Sequence, residues 1–109
     1  MSEIYDSGPI TPRQEAAYRH EYREGVTLFQ KALQQTNSSE YLPKKEAFMG
    51  VMNQAMEVLN QTAKELKNQQ LLEHNAQIAK DYAAYQEHPT KGRMQALEKD
   101  LSRAKEEAG

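Results

Sequence analysis

The sequence predicts an all-α fold, and three observations carry this prediction. No segment of useful length alternates apolar and polar residues with a period of two, and β-branched residues are few. Between the prolines, apolar residues recur every three or four positions, which is the spacing of one helix face. The prolines themselves stand where a helix begins or just outside one, where a missing amide hydrogen does least harm. They are Pro9, Pro12, Pro43 and Pro89.

The first helix begins after Thr11. Thr11 and Gln14 have the spacing of a capping box, in which the threonine oxygen accepts from the Gln14 amide and the Gln14 side chain reaches back. A seam of apolar residues follows at helical spacing and lasts to about Gln35: Tyr18, Tyr22, Gly25, Phe29 and Ala32 or Leu33. Residues 1–10 lack such a pattern, so we expect a flexible tail followed by a single helical domain over residues 11–109.

The segment 44–88 contains no proline and one glycine, Gly50, yet it has two apolar faces. The first face fills an arc of roughly 200°, and the second is centred roughly 180° away if the helix never breaks. Opposite faces of one helix must pack against different helices. The first comprises Ala47, Phe48, Met49, Val51, Met52, Ala55, Met56, Val58 and Leu59; the second comprises Leu71, Leu72, Ala76, Ile78, Ala79, Tyr82, Ala83 and Tyr85.

Two architectures follow from these faces. A continuous helix over residues 44–86 gives an antiparallel bundle of three helices, whose uncovered face needs a second copy, as in an elongated homodimer. A break near Asn68, a residue that tolerates the left-handed conformation, gives four helices that close one bundle. The change of face favours the break, whereas the helix propensity of the intervening Gln, Lys, Glu and Leu residues favours continuity. We expect the long central helix.

The last helix follows the break at His88 and Pro89. Thr90 is its expected N-cap. Apolar residues then follow in a narrow stripe at coiled-coil spacing, which predicts one helical neighbour. They are Met94, Leu97, Leu101, Ala104 and Ala108.

Composition excludes several classes of function. With 14 basic and 16 acidic residues, the net charge of −2 gives no broad attraction to nucleic acid or anionic lipid. The absence of cysteine excludes disulfides and thiolate metal sites and fits a reducing compartment. No apolar stretch has the length of a membrane span, and the acidic first residues are unlike a signal peptide. We expect a soluble cytoplasmic protein without nucleic-acid or membrane partners.

The histidines do not form a recognisable catalytic or metal-binding pattern. His20, His74 and His88 lack the Glu-x-x-His and His-x-x-x-His spacings of metal-binding helices. His20 and Glu24 are one turn apart, which is typical of a surface ion pair, and the other two histidines are expected in solvent. No nucleophile elbow or glycine-rich phosphate loop is present. The sequence therefore predicts no enzyme and no cofactor, with a metal-binding or enzymatic bundle as the alternative from another class.

The methionine-rich face of the central segment is the main candidate for protein contacts. Flexible methionine side chains suit either a groove for another protein's helix or the core under the first helix. Core packing is the commoner explanation, and the same holds for the tyrosines Tyr18, Tyr22, Tyr82 and Tyr85, with their hydroxyls expected at the rim. The candidate interface residues are Phe48, Met49, Met52, Met56, Leu71, Ile78, Tyr82 and Tyr85.

The leading functional hypothesis is a non-enzymatic helical interaction module. It self-associates, as a homodimer, and presents an apolar helical surface to another protein. The alternative is a small chaperone or adaptor that shields an amphipathic client helix, by analogy of fold alone.

Overall fold

The chain forms an antiparallel bundle of four helices, which confirms the all-α prediction. The structure is a computed structural model that describes residues 10–36 and 44–109. Its helices are α1 (Pro12–Gln35), α2 (Lys45–Leu66), α3 (Gln69–Glu87) and α4 (Lys91–Ala108). The predicted tail over residues 1–10 lies outside the described residues except for Ile10.

The helices are arranged as a ring in which each contacts two neighbours. α1 packs on α2 and α4, and α3 packs on the same two helices from the opposite side of the core. Within the described residues, none of the helices combines the length and the apolar character needed to cross a membrane. The core consists of Tyr22, Val26, Phe29, Ala32, Leu33, Met52, Ala55, Leu59, Ala63, Leu71, Ile78, Tyr82, Tyr85, Met94, Leu97, Leu101, Ala104 and Ala108.

The central segment breaks between α2 and α3, so the continuous helix over residues 44–86 is wrong and the four-helix alternative is confirmed. The left-handed residue is Lys67, with φ 52° and ψ 38°, and not Asn68 as predicted. The Lys67 amide donates to the Lys64 carbonyl at 3.0 Å, and the Asn68 amide donates to the Ala63 carbonyl at 3.2 Å. This pair of bonds is the Schellman pattern of a helix end.

Asn68 then starts α3 as its N-cap. Its side chain accepts a hydrogen bond from the Leu71 amide at 3.1 Å. Two residues therefore suffice to end one helix and begin the next, which reverses the chain direction within a tight junction.

Burial on both faces explains why the helix breaks. Met52 and Leu59 of the first face and Leu71 and Ile78 of the second are all buried within one chain. Each such side chain gains about 1.5–3 kcal/mol on burial, whereas a non-glycine residue in the left-handed conformation costs about 1–2 kcal/mol. Differences in helix propensity amount to only tenths of a kcal/mol for ordinary residues. Packing therefore outweighs the local preference for a continuous helix.

The predicted N-caps of α1 and α4 are confirmed. Thr11 Oγ1 accepts from the Gln14 amide at 3.1 Å, and Gln14 Oε1 accepts from the Thr11 amide at 2.9 Å, which completes the capping box. Thr90 Oγ1 accepts from the Arg93 amide at 3.2 Å. α1 ends at Gln35, as its apolar seam predicts.

α4 has two helical neighbours, which corrects the prediction of one. The five apolar residues of its narrow stripe are all buried. Two arginines of α1 reach the end of α4: Arg19 donates to the Ala108 carbonyl at 3.3 Å and Arg23 donates to the same oxygen at 3.1 Å. These bonds satisfy a carbonyl that has no partner within its own helix.

Candidate interaction surface

Most of the predicted interface residues fill the core of a single chain. Met52, Leu71, Ile78, Tyr82 and Tyr85 are buried between the helices. The other three are partly buried and reach the surface: Phe48, Met49 and Met56. The role of these eight residues in contacts with a partner stays a prediction. Of the eight, the three at the surface are those that a partner could contact directly.

A buried polar network crosses the core between α1 and α3. The Tyr22 hydroxyl donates to Asn75 Oδ1 at 2.5 Å, and Asn75 Nδ2 donates to the Leu59 carbonyl at 2.9 Å and to Asn60 Oδ1 at 3.1 Å. Burial raises the pKa of the Tyr22 phenol, which stays protonated as a donor. The prediction that this hydroxyl lies at the rim is wrong, because Tyr22 is fully buried.

The other core tyrosines do place their hydroxyls at the rim. The Tyr82 hydroxyl donates to Asn53 Oδ1 at 3.0 Å, and the hydroxyls of Tyr85 and Thr36 are 2.7 Å apart. The Tyr82 ring meets Phe29 edge to face, with centroids 5.1 Å apart. All three contacts fix α3 against α1 or α2, so these tyrosines are structural.

The exposed apolar surface lies on the outer side of α1 and α2. Leu28 is 51% exposed and Val51 is 38% exposed, the two large exposed hydrophobic residues in the described ranges. They border a shallow cleft of about 280 Å³, which we call the α1–α2 groove. The groove is lined by Leu28, Lys31, Ala32, Gln34, Gln35, Phe48 and Val51.

α1 packs closely on α2 at Gly25, one turn before this groove. A Cβ atom on Gly25 would lie 3.1 Å from Leu59 Cδ2 and 3.2 Å from Val58 Cγ1, so these two side chains of α2 pack directly against the Gly25 backbone. Leu28 follows Gly25 by three residues and is rotated by about 100° from the core residue Phe29. Its side chain therefore lies at the edge of the α1–α2 contact, where it remains half in water.

Charged and polar residues continue the line of Leu28 along α1. Five exposed residues fall within an arc of about 80° on this helix. The acidic ones precede Leu28 and the basic one follows it. We call this set the α1 stripe: Glu21, Glu24, Leu28, Lys31 and Gln35.

The histidines do not converge on a site. His20 Nε2 is 2.6 Å from Glu24 Oε1 and both side chains are exposed, as predicted for a surface pair. The His74 side chain is 30% exposed, with its Nε2 4.0 Å from Glu107 Oε1, so it contacts solvent less than expected. His88 is exposed next to Pro89. Over residues 10–36 and 44–109, no three or more His, Asp or Glu side chains lie close enough to hold a metal ion.

Two carboxyl groups face each other between α3 and α4. Burial, together with the neighbouring Asp81, raises the pKa of Asp100 to about 7, while Arg103 and Lys99 act in the opposite direction. Asp100 Oδ2 is buried without a hydrogen-bond partner. A proton between the carboxyls would supply the missing donor.

Leu28 and Asn75 are among the residues that sequence reasoning missed. Asn75 lies on the second apolar face of the central segment. A polar residue among apolar positions was therefore the signal that could have identified it. Leu28 stands beside the α1 seam and carries no signal on its own, since its exposure depends on where α2 packs.

No family model matches the chain, and the comparisons with curated proteins and with solved structures find no significant match.

Proposed function

We propose that the protein is a helical protein–protein interaction module that self-associates through the outer side of the α1–α2 pair. The observation that carries the proposal is the exposure of Leu28 and Val51 around an apolar groove. Apolar residues that are exposed together mark contact surfaces more often than those scattered singly.

The four-helix fold changes the reason for expecting self-association, because the central segment no longer has an uncovered core face. Each helix already has two neighbours within one chain, so no second copy is needed to cover the core. A second copy would instead cover the α1–α2 groove and remove Leu28 from water. This predicts a reversible dimer of folded monomers, and not an obligate dimer.

The size of this surface is sufficient for such a dimer. α1 has 24 residues, which gives a length of about 36 Å. Two adjacent helices, each about 10 Å wide, offer roughly 700 Å² on their outer side. Standard interfaces bury about 800 Å² on each partner, so the α1–α2 pair is close to that size. An interface of this area with few large apolar groups fits a dissociation constant in the micromolar range.

Sedimentation equilibrium across the micromolar range tests the proposal. The wild type should change from monomer to dimer, and Leu28→Glu should remain monomeric because it would bury an unpaired charge in the contact. Ala83→Glu is the matched control, since Ala83 is exposed on α3, away from the groove. A wild type that is monomeric throughout this range, or a dimer that Leu28→Glu leaves unchanged, would overturn the proposal.

A further inference from the structure

The charges of the α1 stripe are arranged in an order that suits a second copy of α1. Glu21 and Glu24 precede Leu28, and Lys31 follows it on the same side of the helix. In an antiparallel pair of α1 helices centred on Leu28, a residue three positions after the centre meets one three or four positions before it in the other copy. Lys31 of each copy would then face Glu24 of the other, and Gln35 would face Glu21.

The parallel arrangement lacks this complementarity. A two-fold axis along the helix direction would place Glu24 against Glu24 and Lys31 against Lys31. Like charges in direct opposition are unfavourable, and the four charges involved are solvent-exposed in the monomer. The order of charges therefore selects the antiparallel pair.

The contacts within one chain leave these groups available. Lys31 has no ion pair among the residues that the structure describes, and Glu24 contacts His20, with both side chains about two-thirds exposed. Leu28 at the centre lies beside Phe48 and Val51 in the groove, so the second copy's Leu28 would enter an apolar setting. The charges of the α1 stripe and the apolar lining of the groove therefore favour the same two-fold axis at Leu28.

We propose that two copies of the chain associate through antiparallel α1 helices about a two-fold axis at Leu28, with Glu24 of each copy paired with Lys31 of the other. The inference rests on the proposed function and adds the register and direction of the contact. It also predicts that salt weakens the dimer, because exposed ion pairs are screened.

A charge exchange tests this register. Glu24→Lys and Lys31→Glu should each weaken the dimer by about tenfold, since each change replaces two symmetry-related attractions with repulsions. The double variant restores opposite charges and should return to within about threefold of the wild type. The matched control exchanges Glu73 and Lys80 on α3, which have the same seven-residue spacing and are exposed; it should leave the dimer unchanged.

Cross-linking gives a second measurement that does not depend on charge. The chain contains no cysteine, so Leu28→Cys introduces a single thiol. On the two-fold axis, the two thiols should form a disulfide under mild oxidation. Gln35→Cys is the control: seven residues from the axis, its two copies would be roughly 21 Å apart and should not cross-link.

The outcomes separate this inference from the proposed function. A dimer that Leu28→Glu disrupts, but that neither single charge variant weakens, would overturn the register and keep the function. A double variant as weak as the singles, or cross-linking at Gln35→Cys instead of Leu28→Cys, would also overturn the register. A wild type without any dimer would overturn both. Unchanged far-ultraviolet circular dichroism of the variants identifies those that fold.

Discussion

The hydrogen bond between Tyr22 and Asn75 should show strong energetic coupling, because both groups are buried. Tyr22 is 0% exposed and Asn75 is 2% exposed, so water cannot replace a lost partner. Tyr22→Phe leaves Asn75 Oδ1 without its donor, and Asn75→Leu leaves the tyrosine hydroxyl without its acceptor. An unpaired buried polar group costs about 1–3 kcal/mol.

The expected magnitudes follow from what each variant leaves unpaired. Tyr22→Phe should lower the free energy of unfolding by about 1–2 kcal/mol, since the two bonds from Asn75 Nδ2 remain. Asn75→Leu should lower it by a similar amount, because the added apolar contact offsets part of the loss. The double variant contains neither polar partner, so it should lose less than the two single variants together, by about 1–2 kcal/mol.

Urea unfolding of the four proteins, followed by far-ultraviolet circular dichroism, measures this coupling. The slope of the free energy against urea should be equal in all four, which shows that the unfolded states are comparable. Losses that add within about 0.3–0.5 kcal/mol would refute the argument, because independent sites behave in that way.

Four further substitutions test the α2–α3 junction, the two helix glycines and the carboxyl pair. Lys67→Gly should stabilise the protein by about 1 kcal/mol, since glycine adopts the φ of 52° without a steric cost; a lower melting temperature would contradict this. Gly50→Ala should stabilise by about 0.5–1 kcal/mol because nothing lies within 4 Å of the added methyl group. Gly25→Ala should gain less or destabilise, since its methyl group would press on α2; equal shifts would refute the close approach. The pKa of Asp100 is raised from 3.8 to about 7 by burial and by Asp81, so the folded state holds the extra proton. Its contribution to stability is therefore complete below about pH 4 and is lost as the pH rises through 7. Asp100→Asn should be more stable than the wild type at pH 8 by up to about 1 kcal/mol, given solvent screening of this half-buried group, and an unchanged pH profile would contradict the assignment.

The helix ends could be predicted from the sequence where residues close together in the chain determine them. Thr11 with Gln14, and Thr90, cap their helices through contacts within three residues, which are visible in the sequence. The junction at Lys67 is different. Lysine has no preference for the left-handed conformation, and it adopts it because both apolar faces must be buried in one core.

The candidate surface likewise contains residues that the sequence predicts and residues that it does not. The core residues of α1 and α4 follow from helical periodicity, because burial of one face needs only a neighbour on that side. Leu28 is exposed because it lies at the edge of the contact between α1 and α2, and the position of that edge depends on the arrangement of two helices in space. The facing of Asp81 and Asp100 likewise arises from the packing of α3 on α4.

The arginine contacts at the end of α4 affect how the bundle opens. Arg19 and Arg23 join the earliest described helix to the last one through the Ala108 carbonyl. The final turn of a helix usually frays independently, with amides that exchange quickly with solvent. Here fraying of α4 must also release two side chains of α1, so protection of the last turn should rise and fall with that of α1. The first and last helices would then unfold as one cooperative unit, although most of the chain separates them in sequence.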